Sequence, residues 1–168
     1  MTTQPERRTT SRQRDRPPPS TGPDERDVLV GFLDYLRSSI AAKAEGVSEP
    51  EVRTPGVPSG TNLLGLITHL TYVERFTFLG EAVDDWPATF HADDDDTVEG
   101  VLAAYRRTVD ETSELIAGTE LEAAVRRPSS RGSAPSLRWA LTHMIEETGR
   151  HAGHADILRE LIDGSTGR

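Results

Sequence analysis

The stretch Ser136–Ile162, SLRWALTHMIEETGRHAGHADILRELI, carries a helical pattern uninterrupted by proline and is the longest regular element in the chain. A helix of that kind must cover its apolar face with other helices. Three further segments supply them. Within Pro23–Ala44, Leu29, Phe32, Leu33, Leu36 and Ile40 recur at i, i+3, i+4 spacing, and Gly46 is the stop. Within Thr61–Gly80, Leu63, Leu66, Ile67, Leu70, Val73 and Phe76 form a stripe, with Ser59 or Thr61 as N-cap and an end before Trp86-Pro87. Within Thr97–Ala117, Val98, Leu102, Tyr105, Val109 and Leu115 point one way, Gly118 stops the helix, and Asp96 with Glu99 reads as a capping box. No segment shows strand alternation. The pattern predicts an all-α chain, a four-helix bundle.

The connections are equally legible. Val47–Gly60 holds Pro50, Pro55 and Pro58 and reads as a loop long enough to shape a site. The acidic run Asp93–Asp96 lacks the spacing and glycine of a calcium loop, so it reads as a solvated lead into the next helix. Residues 119–135 form a second irregular connection, with Arg126, Arg127 and Arg131. Residues 1–24 are rich in Arg, Thr, Ser and Pro without apolar periodicity, and predict a disordered tail ahead of a single domain over 25–168.

Composition narrows the function classes. Hydrophobic residues make up 35%, with four Phe, three Tyr and two Trp, so the core is mainly aliphatic. There is no cysteine, which excludes disulfides, thiolate metal sites and a protein-borne thiol nucleophile; any thiol chemistry needs a thiol carried by a small molecule. Residues 1–24 carry five Arg against three acids, which leaves 14 basic and 25 acidic side chains, a net of −11, in residues 25–168. A body so acidic repels phosphate backbones and argues against nucleic-acid binding by the folded part. No apolar run approaches the ~18 residues of a membrane span, and the N-terminus lacks a signal peptide's apolar core. A soluble, cytoplasmic protein is the expectation.

Four of the five histidines lie in two of the helical segments, His69 in the second and His143, His151 and His154 in the fourth. His69 sits between Leu66 and Val73 at helical spacing and shares their face. Glu147 precedes His151 by one turn, so the two are neighbours on one face. Buried imidazoles and carboxylates are costly unless hydrogen-bonded, paired or bound to a metal. Two imidazoles and a carboxylate on facing helices would leave an open position on a divalent ion, as catalytic sites do. Hydrogen-bonded core histidines and a solvated Glu–His pair are the competing reading. His143, one turn before Glu147, is an alternative ligand or a supporting donor; His154, at i+3 from His151, is a second supporting candidate.

The segments SGTNLLGLITHLTYVERFTF and SLRWALTHMIEETGRHAGHADILRELIDG closely resemble the DinB-like superfamily, within it an actinobacterial uncharacterised branch, over roughly residues 26–164. The resemblance implies a four-helix bundle with an unusual helix order, often a homodimer, and a divalent metal on three side chains. Many members use three histidines; Glu147 here instead resembles the mycothiol-dependent maleylpyruvate isomerase branch, and implies His69, Glu147 and His151 as ligands. Zinc is the implied metal, with nickel, manganese and iron as alternatives. The superfamily includes transferases dependent on mycothiol or bacillithiol, which implies a low-molecular-weight thiol and a small electrophile as partners. Arg126, Arg127 and Arg131 are candidates for an anionic cosubstrate. Three function classes stay open: a metal-dependent thiol S-transferase, a metal-dependent hydrolase, and a non-catalytic, stress-related bundle.

Overall fold

A computed structural model describes residues 17–128 and 132–167; Arg131 and most of the predicted tail lie outside the described residues. Among these residues the chain is helical, in the order α1 (Glu25–Ala44), α2 (Glu49–Val52), α3 (Leu63–Glu74), α4 (Val98–Ala117) and α5 (Leu137–Asp163). The four long helices pack as the predicted all-α bundle, α1 mainly on α5 and α3 mainly on α4. A π-turn, Arg75–Leu79, continues α3, and a 3-10 turn, Pro87–Phe90, lies between it and α4.

The helix ends follow capping chemistry, with two corrections to the sequence reading. Asn62, not Ser59 or Thr61, caps α3, its side-chain oxygen accepting from Gly65 N at 2.8 Å. Thr97, not Asp96, caps α4 by accepting from Gly100 N at 3.0 Å. Asp96 instead closes its own loop, accepting from Asp93 N at 2.9 Å. The predicted loop Val47–Gly60 contains α2, whose Glu49 Oε1 accepts from Val98 N at 2.6 Å and ties the connection to the start of α4. Ser136 caps α5 and Gly164 ends it in the left-handed region, as the stop signal required.

The inward stripes differ from the expected ones at informative places. Phe32 is exposed and Arg37 takes the buried position on α1. On α4, Thr108, Thr112 and Ile116 are buried while Leu115 is only partly so. At the end of α3 the π-turn adds a residue to the turn, so Phe78, five residues after Val73, enters the core and Phe76 is left half-buried.

Two aliphatic clusters fill the bundle. One gathers Ile40, Leu64, Ile67, Leu70, Leu102, Tyr105 and Leu158; the other gathers Leu33, Val73, Phe78, Ile116, Leu141 and Met144. Between them on their helices stand Arg37, Glu74, Thr112 and Thr148, all buried. Arg37 Nε and Nη2 each donate to a different oxygen of Glu74 at 2.7 Å. Nη1 reaches Asp34 and Ser113, and Nη2 also reaches Thr112 Oγ1 at 3.1 Å. All five guanidinium donors are thereby used.

Removing one partner strands a buried charge. Arg37→Met should lower the stability read from urea unfolding by about 3–5 kcal/mol, and Arg37→Met with Glu74→Leu should recover most of that loss. A double variant no more stable than the single one would show that the pair itself stabilises the bundle.

Candidate metal centre

Helices α3 and α5 bring His69, Glu147 and His151 together, with one ligand atom from each lying within 4.8 Å of the others. Glu147 Oε1 is the meeting point, 3.4 Å from His69 Nε2 and 3.2 Å from His151 Nε2. Both imidazoles are buried and the carboxylate is largely so. Two grooves, of about 330 Å³ between α1 and α4 and about 360 Å³ between α3 and α4, are lined by none of the three.

The protons in this cluster can be placed. Thr89 Oγ1 donates its single hydrogen to Trp86 O at 2.7 Å. At 2.7 Å from His69 Nδ1, it must therefore accept from an Nδ1–H. The neutral ring then has an unprotonated Nε2, and this is the atom aimed at Glu147. On the other ring, His151 Nδ1 lies 3.4 Å from His154 Nδ1, a contact that is met with the hydrogen on either ring; with it on His151, Nε2 is bare as well. Two nitrogen lone pairs and a carboxylate oxygen then face one another at contact distance. Such a set repels itself unless a cation lies among them.

Electrostatics favours the same protonation pattern. Burial lowers the His69 pKa to about 4, although a protonated ring would gain a hydrogen bond to Glu147. Burial also lowers that of His151, against the pull of Glu147. For Glu147 burial works the other way, but His151, the hydrogen bonds that the two rings would donate when protonated, and Arg150 outweigh it, and the carboxyl stays below its ordinary range. Neutral imidazoles and an ionised carboxylate are the ligand forms of these groups. The donor set fits a divalent ion with N and O preference and leaves coordination positions free.

The wall of the centre comes from a segment that helical periodicity does not reach. Phe90 stacks on His69 with ring centroids 3.8 Å apart and planes 13° apart, and meets His151 edge-on at 5.7 Å. Trp86 meets His69 edge-on at 6.1 Å. Gly65, one turn before His69, makes this possible: a Cβ there would fall 2.0 Å from the Phe90 carbonyl oxygen. Trp86, Thr89 and Phe90 were not foreseen as site residues. Their only signal was a proline-started turn, Trp86-Pro87-Ala88-Thr89-Phe90, placed after a helix bearing a histidine.

The remaining candidates are dispersed. His154 is exposed and reaches His151. His143 lies against Trp139, ring centroids 4.9 Å apart, and 3.8 Å from Glu146, with no hydrogen bond to Glu147 among the described residues. Arg126 is exposed, and Arg127 is stacked on two aromatic rings.

A helical bundle that holds His, Glu and His on two of its long helices is of the DinB-like class. The family model described as Mycothiol-S-transferase matches residues 28–164, and the chain belongs to that family. A comparison with curated proteins gives no match.

Two expectations follow from the proton placement. Thr89→Val removes the acceptor that holds Nδ1–H and should weaken zinc binding roughly 10–100-fold in a chelator competition. In the metal-free protein, His69 titrates near pH 4 when folded and near its ordinary value of about 6.5 when unfolded. Below that ordinary value the unfolded chain takes up a proton that the folded one refuses. Stability should therefore fall as pH drops through this window, by up to about 3 kcal/mol near pH 4. Urea unfolding of wild type against His69→Leu across pH 7.5 to 4.5, values chosen to span roughly that window, isolates the contribution.

Proposed function

We propose that this protein is a metal-dependent S-transferase in which His69, Glu147 and His151 hold a divalent ion, zinc by donor preference, and a low-molecular-weight thiol, mycothiol, is the nucleophile. The observation that carries the reading is the convergence of two buried imidazoles and a carboxylate in a chain without cysteine that belongs to the mycothiol-S-transferase family. When bound, a divalent metal supplies Lewis acidity that favours thiolate over thiol at neutral pH.

The chain's own residues have separate tasks in this reading. Glu147 contributes the negative charge that offsets the cation, and its position one turn before His151 fixes the pair on one rigid helix. Thr89 holds the His69 proton away from the ion. Phe90 covers both imidazoles and keeps bulk water from their faces. In the reaction the thiol sulfur forms a bond to an electrophilic carbon as that carbon's bond to its leaving group breaks, the electron pair departing with the leaving group. The thiol proton leaves to solvent or to the displaced group, so no oxidant or reductant is consumed. The absence of a protein thiol supports a nucleophile that arrives with the cosubstrate.

Metal content and turnover test this together. Purified protein reconstituted with zinc should bind about one equivalent per chain, and His151→Ala should lose it with its far-UV circular dichroism preserved. Conjugation of a chromogenic aryl halide should require mycothiol and should fall by at least about 100-fold in Glu147→Gln. Turnover without any thiol would replace the proposal with hydrolysis, and failure to bind metal after reconstitution would remove both.

A further inference from the structure

Arg127 is a half-buried cation with an unsatisfied edge. The segment that carries it is clamped on both sides. Val125 N donates to Pro135 O at 2.9 Å and Leu137 N to Ala123 O at 2.8 Å, which fastens residues 123–125 across the start of α5. On the other side the segment meets Gly80, which closes the π-turn with φ +79°; a Cβ there would stand 2.7 Å from Arg126 O. Fixed in this way, the Arg127 guanidinium carbon lies 4.9 Å from the Trp139 ring centroid and 5.3 Å from that of Phe76. Its Nε is buried and has no hydrogen-bond partner among the described residues. Among the described residues no carboxylate pairs with it, whereas Arg75 holds Glu81 and Glu111, and Arg138 holds Glu25 and Glu122.

The buried Nε is closed to an incoming ligand, but Nη1 and Nη2, without a hydrogen-bond partner among the described residues, match a carboxylate with two parallel bonds. A half-buried cation without a counter-charge favours an anionic ligand. Aromatic rings lead from this cation to the centre. Phe76 meets Trp86 edge-on at 5.1 Å, and Trp86 meets His69 at 6.1 Å. On α5, Trp139, His143, Glu147 and His151 follow at four-residue intervals and form one stripe that ends in the proposed ligands.

We infer that Arg127, held over the Phe76 and Trp139 rings, is the anchor for the carboxylate of an aromatic acid that lies along this strip toward the His69–Glu147–His151 centre. Binding of the acid stands on this geometry alone; its role as the electrophile rests on the S-transfer reading. Arg126, exposed beside it, takes no part.

Both tryptophans of the chain line this strip, so intrinsic fluorescence reports on it directly. The probes are benzoate and its uncharged counterpart benzamide, titrated at constant ionic strength into the protein as purified and after chelation. Benzoate should give a saturable change, benzamide should bind roughly tenfold or more weakly, and chelation should leave the difference intact. Arg127→Gln should reduce benzoate to the level of benzamide, with Arg127→Lys between the two. Equal responses to the two probes in wild type overturn the proposal whether or not the variants fold. A benzoate response that chelation abolishes and Arg127→Gln spares also overturns it, because the carboxylate then sits on the metal. Discrimination that persists in a protein unable to bind metal would uphold the anion site while the S-transfer reading fails.

Discussion

The fork between Arg37 and Glu74 organises the bundle. Burying a guanidinium and a carboxylate is affordable only when every donor and acceptor is met, and here α1, α3 and α4 must be in register for that to happen. Apolar side chains tolerate sliding by a fraction of a turn; two parallel hydrogen bonds do not. Glu74 is also the last residue of α3 before the π-turn. The pair thus holds the helix just before it widens, and the widened turn carries Phe76 out of the core toward Trp86.

The candidate centre depends on that register through α3. His69 lies little more than one turn before Glu74, and its partners on α5 are one turn apart. Once the helices are set, the short turn at Pro87–Phe90 packs onto α3 beside His69, and it needs Gly65 to come so close. Rigid helices therefore supply the candidate ligand atoms, and a short irregular segment supplies cover and the partner of His69 Nδ1.

The division between helices and turns also separates what the sequence disclosed from what it concealed. Helix existence, the bundle and the grouping of His69 with Glu147 and His151 follow from periodicity, because 3.6-residue spacing alone puts those side chains on inner faces. The caps slipped by a residue or more because several adjacent side chains can cap: Asn62 beside Thr61, Thr97 beside Asp96. Arg37 was invisible, since a charge at an inward position reads as an interruption until its partner, thirty-seven residues away, is known. Thr89 and Phe90 belong to a turn without periodicity, and Arg127 differs from Arg126 only in where the backbone points it. Tertiary contacts, not local pattern, assigned those roles.

The belt of Arg37, Glu74, Thr112 and Thr148 divides the interior into two separate oily compartments. Cohesion across such a boundary comes from directional bonds instead of surface burial, so the two ends of the bundle are distinct units for local opening. Thr148 adds a hydroxyl with no bonding partner among the described residues at that plane, between Glu147 and the turn that bears His151. Breathing motions of α5 therefore have a natural place to begin, and it adjoins the centre. A cation held from α3 and α5 would act as a rivet beside that seam, and the protein's occupancy would be written in its slow dynamics as much as in its chemistry.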